Sequence, residues 1–129
     1  MSRAEPSGDV YEWYTRGLGL LSSGSHAAAV QLLQRAAEAE PGSRSIREAL
    51  ARAQFGARRY AEAAENFRSI VEANPSEDYA LFGLGLALSR MGDFAAAVEH
   101  LALAAAMCPD NKDYTNALRQ ARATLDARR

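Results

Sequence analysis

Two glycine pairs are the first candidates for chemistry in this sequence, GLGLL at 17–21 and GLGLAL at 83–88. A glycine loop that cradles a dinucleotide follows a strand and opens a helix, so that free backbone N–H groups point at the phosphates. Both pairs here fall inside helix-forming segments with no strand signal before them, and nucleotide binding is not expected. His26 and His100 lie far apart in the chain, and Cys108 is the sole cysteine, with no histidine beside it. That spacing cannot assemble a metal site. No Gly-x-Ser-x-Gly elbow, phosphate loop or paired-carboxylate motif occurs. The chain therefore reads as a non-enzyme with no cofactor and no metal. One charged pair remains, Glu48 and Arg52. At i,i+4 on a helix they stabilise one another by a few tenths of a kcal/mol, roughly 0.2–0.5. The Arg52 fork could equally meet a carboxylate or carbonyl of a bound peptide.

The elements that carry these residues recur. GDFAAAVEHL at 92–101 matches GSHAAAVQLL at 24–33 and RRYAEAAENF at 58–67, all in a phase of 34 residues. Pro41, Pro75 and Pro109 keep the same phase, each closing a helical run, since proline cannot extend a helix and pushes its predecessor out of helical geometry. Ser43, Ser76 and Asp110 follow as candidate helix caps. A second set of breaks falls mid-period, at SSGSH, GARRY and RMGDF. Hydrophobic periodicity then predicts helices near 9–22, 26–39, 44–56, 60–73, 77–91, 94–107 and 111–127 and no strands. Residues 1–8 read as a short flexible tail, and 9–127 as one domain.

Composition excludes several function classes. Fifteen basic and 16 acidic residues leave a formal charge of −1, so bulk electrostatics recruits neither nucleic acid nor an anionic membrane. Lys112 is the only lysine, and the arginine and alanine usage suggests a GC-rich, bacterial genome. The start, MSRAEPSGD, lacks a signal peptide's apolar run, and no stretch nears the ~18 apolar residues of a membrane span. A cytoplasmic location is expected.

Taken together, the repeats resemble the tetratricopeptide repeat, a 34-residue helix–turn–helix unit with the pattern W-x2-L-G-x2-Y, A-x3-F, A and P. The first unit, about 10–43, supplies Trp13, Gly17, Ala29, Ala36 and Pro41. The second, about 44–77, supplies Leu50, Ala63, Phe67 and Pro75, with Ala51 at the glycine place. The third, about 78–111, supplies Leu84, Gly85, Ala97, Ala104 and Pro109. Arg16, Arg47, Gln54 and Ile70 depart from the pattern, three of them in the second unit. The resemblance implies an all-α, right-handed superhelical solenoid of three units, closed by a polar capping helix at about 111–127. Gly17, Ala51 and Gly85 would let paired helices approach closely, opposite Ala29, Ala63 and Ala97. Gly19 and Gly83 have no such explanation.

The resemblance also implies a concave surface lined by the first helix of each unit, where partner proteins bind. Residues sharing that face are Tyr11, Tyr14, Leu18 and Leu21, then Ser45, Glu48, Arg52 and Phe55, then Tyr79, Phe82, Leu86 and Ser89. The capping helix would add Asp113, Asn116 and Gln120. The expected site is Tyr11, Tyr14, Leu18, Glu48, Arg52, Phe55, Tyr79, Phe82, Leu86, Asn116 and Gln120. If half of each of its five aromatics stayed exposed, the patch would reach roughly 400–600 Å². Either an apolar peptide or helix covers it, or some rings pack between adjacent first helices. The expected function is a protein-binding adaptor, with self-assembly through the groove or terminal helix as the alternative, so that a homo-oligomer stays open. Related helical arrays read RNA bases with polar side chains, which the apolar stripe and near-neutral charge argue against. Members that grip the acidic tails of heat-shock chaperones carry Lys, Asn and Arg at places held here by Tyr14, Leu18, Ala49, Tyr79 and Gly83. That carboxylate clamp is not expected.

Overall fold

A computed structural model describes residues 6–129. Among these residues there are seven α-helices and no strand: α1 (Pro6–Ser22), α2 (His26–Ala39), α3 (Arg44–Gly56), α4 (Tyr60–Ala73), α5 (Asp78–Arg90), α6 (Phe94–Met107) and α7 (Lys112–Ala127). The first helix begins at Pro6, earlier than the expected start at 9, proline being suited to the first helical turn. The rest of the expected tail, residues 1–5, lies outside the described residues. None of the described helices is long and apolar enough to cross a membrane.

Helix pairing divides the chain into two compact units, one ending at Arg59 and the other Tyr60–Arg129. In the first, α1 packs on α2 and α2 on α3. Its core comprises Ala29, Val30, Leu33, Ala49, Leu50 and Ala53, with Val10, Ala36 and Ile46 forming a second cluster. Gly17 is the reason α1 and α2 can close. A Cβ there would sit 2.7 Å from two carbons of Leu33, a side chain with no exposed surface. His26 is a packing residue, its ring filling the space a side chain on Gly56 would need.

The second unit chains α4 to α5, α5 to α6 and α6 to α7. A Cβ on Gly85 would run into Leu101 and sit 3.4 Å from the Ala97 carbonyl oxygen. Gly83, unexplained by phase, is also a close-approach residue. The ring of Phe67, from α4, comes within 2.5 Å of where its Cβ would be. Gly19 has open space around it.

The turns repeat as faithfully as the helices. Mid-period, Ser25 N donates to Leu20 O (2.8 Å), Arg59 N to Gln54 O (2.8 Å) and Asp93 N to Leu88 O (2.9 Å). Each closes a helix C-terminus through a residue of positive φ: Gly24 at 84°, Arg58 at 65° and Gly92 at 87°. At the proline breaks, Ser43 N, Glu77 N and Asn111 N donate to the carbonyls of Glu40, Asn74 and Cys108. This places the caps at Ser43, Glu77 and Asn111. Ser43 and Asn111 accept from Ile46 N and Tyr114 N, whereas Glu77 makes no side-chain cap bond. Ser76 and Asp110 therefore sit one residue before the caps. Near Ser76, Asn74 organises the turn instead, accepting from Ser76 N at 3.1 Å and donating to Glu77 at 3.2 Å.

Candidate functional site

In the first unit, α1 presents Tyr11 and Tyr14 one turn apart, beside the turn that follows α2 and the start of α3. Tyr11 is 69% exposed, while Tyr14 is half-buried against both core clusters. With Val10, Glu40, Ser43, Ser45 and Ile46 they line a cleft of about 220 Å³. Leu18 leans onto the Ala29–Leu50 core and Phe55 is half-buried on α3. Glu48 pairs with Arg44, 3.5 Å away and one turn N-terminal, rather than with Arg52. The i,i+4 spacing offers a carboxylate two arginines, one on either side, and the upstream one takes it. Arg52 is exposed and makes no hydrogen bond or ion pair among the described residues. Trp13 lies under the Arg35 guanidinium at 4.5 Å, a cation–π contact within the first repeat.

In the second unit, the aromatic residues of α5 belong to a stack. Phe67 meets Tyr79 edge-on at 6.3 Å, Tyr79 meets Phe82 at 6.2 Å, and Phe82 lies 4.7 Å from Tyr114 on α7. Tyr114 is buried, Phe82 half-buried, and Tyr79 stays 37% exposed. Phe82 thus packs between α5 and the capping helix α7. Tyr114 anchors the stack: its hydroxyl donates to Asp78 Oδ2 at 2.7 Å, and the Cys108 thiol donates to the same oxygen at 3.4 Å. The Tyr114 hydrogen bond holds the Asp78 carboxyl below its ordinary range, against an opposing effect of burial. Burial, then the neighbouring carboxylate, pushes the Tyr114 phenol and the Cys108 thiol up. A thiol held protonated is a poor nucleophile, so this trio is a structural knot.

Further along the same face, Leu86 and Gln120 line a larger cleft, about 280 Å³, between α5 and α7. Leu86, Phe94, Ala117 and Ala121 form its apolar part, and Ser89, Arg90, Gln120 and Thr124 its polar part. The Phe94 ring is covered by the Arg128 guanidinium at 4.7 Å, and Arg90 donates to the Tyr60 hydroxyl at 3.1 Å. Asn116 accepts from Arg119 at 2.8 Å, which occupies it within α7. Sequence reasoning missed Tyr114, although it shares the 34-residue phase of Ile46 and Ala80, both buried. It also missed Phe94, Ala117, Ala121 and Thr124, whose cleft arises where α5, the start of α6 and the capping helix meet. Among the described residues, no group of three His, Cys, Asp or Glu side chains could hold a metal ion.

Paired helices in a 34-residue phase, with clefts on the first-helix faces, define a helical-repeat protein. The tetratricopeptide repeat family matches residues 14–78 and 48–112, and the chain belongs to it. No curated protein matches the chain by sequence. Solved structures share its fold. The first TPR of Spaghetti (RPAP3), bound to the HSP90 peptide SRMEEVD, is 21% identical with a TM-score of 0.84 over 93% of this chain and 95% of that one. The second TPR domain of human RPAP3, in complex with the HSP70 peptide SGPTIEEVD, is 19% identical with a TM-score of 0.82, covering 92% and 98%. The Sgt2 TPR domain from Aspergillus fumigatus is 18% identical with a TM-score of 0.82, covering 91% and 79%.

Proposed function

We propose that the chain is a non-catalytic adaptor that binds an apolar peptide or helix of another protein on its first-helix faces. The observation that carries this reading is the α5–α7 cleft. Four apolar residues (Leu86, Phe94, Ala117, Ala121) beside four polar ones (Ser89, Arg90, Gln120, Thr124) offer both burial and hydrogen bonds, and its volume of about 280 Å³ suits one large apolar side chain. The Ser89, Gln120 and Thr124 side chains would hold the peptide backbone on either side of that anchor. The smaller Tyr11–Tyr14 cleft of the first unit would by itself take an apolar residue.

Ala117 is half-buried at the cleft wall, so Ala117→Phe fills the space at little cost to the fold. Pull-down of the native partner should be lost while helicity by circular dichroism is kept. Full partner recovery by the filled cleft would overturn the proposal.

On this reading an acidic chaperone tail is not the expected ligand. Two of the five clamp places are closed: Ala49 is buried, and Gly83 faces the Phe67 ring. The other three hold Tyr14, Leu18 and Tyr79, none a cation. Calorimetry with SRMEEVD, the peptide held by the RPAP3 domain, should show no heat of binding. A micromolar isotherm would refute this.

A further inference from the structure

The three second helices provide an internal control for what a solvent-facing position normally carries. At one outward place the residues are Arg35, Ser69 and Leu103, and at its neighbour Gln34, Arg68 and Ala102. One turn on they are Glu38, Glu72 and Ala106, followed by Ala39, Ala73 and Met107. The first two copies keep these places polar or small. In α6 the polar groups are gone and two large apolar side chains stand one turn apart, Leu103 at 52% exposure and Met107 at 43%. Stability cannot explain this, because α7 buries a different side of α6, through Ala104 and Ala105 packing on Tyr114 and Leu118.

We propose that the outer side of α6 is a second docking surface, distinct from the clefts, which takes a single basic amphipathic helix. Two features select that occupant. The first is area. Leu103, Met107 and the alanines beside them offer roughly 300 Å² of apolar surface, comparable to the largest patch on an ordinary monomer and far below the ~800 Å² per partner of a stable domain pair. One helix can be held on such a ridge; a second folded copy cannot. The second is charge. Exposed acids bracket the ridge, Glu99 one turn before Leu103 and Asp110 and Asp113 in the turn and helix start after Met107, with Lys112 the one cation between those two. Parallel self-pairing of α6 would set Glu99 against Glu99, and antiparallel pairing would set it against Met107 or the Asp110–Asp113 end. The first supplies no cation, and the second only Lys112, outnumbered there by the Asp110 and Asp113 carboxylates. A helix with an apolar i,i+4 pair and Lys or Arg one turn beyond each end meets the ridge and both acidic ends. Alanine at 102 and 106 lets the partner backbone come close.

The probe is a labelled alanine-based helical peptide carrying leucine at i and i+4 and lysine one turn outside each; its control has glutamate for lysine. Fluorescence anisotropy with the full chain should show the lysine peptide binding at least about tenfold more tightly than the control. Leu103→Glu with Met107→Glu should abolish binding, and Glu99→Gln should weaken it several-fold. Circular dichroism should stay unchanged, since all three side chains are exposed. Ala117→Phe should leave peptide binding intact, which separates this surface from the α5–α7 cleft. Equal binding of both peptides, no binding of either, or binding that survives the Leu103/Met107 change would overturn the proposal. So would sedimentation equilibrium showing a dimer that Leu103→Glu dissolves, which would assign the ridge to a second copy.

Discussion

Gly83 and Gly19 give the sharpest test of the packing argument, because one substitution should have opposite signs at the two sites. Both lie inside first helices, where replacing glycine by alanine favours the helix by about 1 kcal/mol. At Gly19 nothing lies within 4 Å of the new methyl, so Gly19→Ala should realise that gain. At Gly83 the methyl would meet three Phe67 ring carbons at 2.5, 2.6 and 2.7 Å. That ring is 2% exposed and rigid, so it cannot swing aside without moving α4 from α5. Overpacking of this kind costs about 1–3 kcal/mol, which outweighs the propensity gain. Gly83→Ala should therefore lose about 1 kcal/mol and stand about 2 kcal/mol below Gly19→Ala, which corresponds to about 8 °C in Tm for a chain of this size. Urea denaturation followed by circular dichroism measures both. In a Phe67→Leu background the penalty should shrink, with a coupling energy of about 1 kcal/mol between contacting residues. A Gly83→Ala chain as stable as wild type, or additive behaviour with Phe67→Leu, would refute the reasoning.

The Tyr114–Asp78 knot predicts a pH dependence of stability at both extremes. The Asp78 carboxyl is lowered, so its contribution is present above the ordinary carboxylate range and is lost as pH falls through the lowered value. The Tyr114 phenol is raised, so its contribution is present up to its ordinary value of 10.0 and is lost as pH climbs above it. Tyr114→Phe should be less stable at pH 7 and should flatten the decline above pH 10; an unchanged alkaline profile would count against the assignment. Arg58 holds at φ 65° the place that glycine holds in the other two mid-period turns. Arg58→Gly should gain about 0.5–1 kcal/mol in denaturant unfolding, after allowing for glycine's freer unfolded state. Phe82→Ala should cost about 2 kcal/mol through the stack on Tyr114. Tyr11→Ala, at the most exposed ring, should shift stability by less than about 0.5 kcal/mol. Partner capture with Tyr11→Ala therefore reports on binding, whereas Phe82→Ala would confound binding with folding.

How much of this was legible in the sequence depends on the distance over which each feature is decided. Helix ends were, because proline, glycine and caps act on their immediate neighbours. The expected 26–39, 44–56, 60–73 and 94–107 coincide with α2, α3, α4 and α6. Gly17 and Gly85 were too, since a 34-residue phase superimposes equivalent contacts. Where two neighbouring residues compete for one role, phase alone chose less well. Ser76 and Asp110 gave way to Glu77 and Asn111 because the turn bonds to Asn74 and Cys108 fix where each helix starts. Glu48 had an arginine one turn away in either direction.

The candidate site was half legible for a related reason. A stripe drawn along one helix identifies which side chains share a face, but a cleft is made by what a neighbouring element leaves uncovered. Leu86 and Gln120 were on the stripe and do line a cleft; Phe94 completes it from the start of α6, a different helix, and Thr124 from one turn beyond Gln120 on the capping helix. Tyr79 and Phe82 were on the stripe as well, yet their surroundings are set by Phe67 and Tyr114, which approach from opposite sides. The same logic explains why the α6 ridge is not evident from the periodicity of the sequence. Its residues are conspicuous only beside the corresponding polar positions of the other two repeats, and only with their exposure known. In a repeat protein the scaffold is what the copies share, so function is best sought where one copy departs from the others without a packing reason. Gly83 departs and has such a reason in Phe67; Leu103 and Met107 depart and stand exposed.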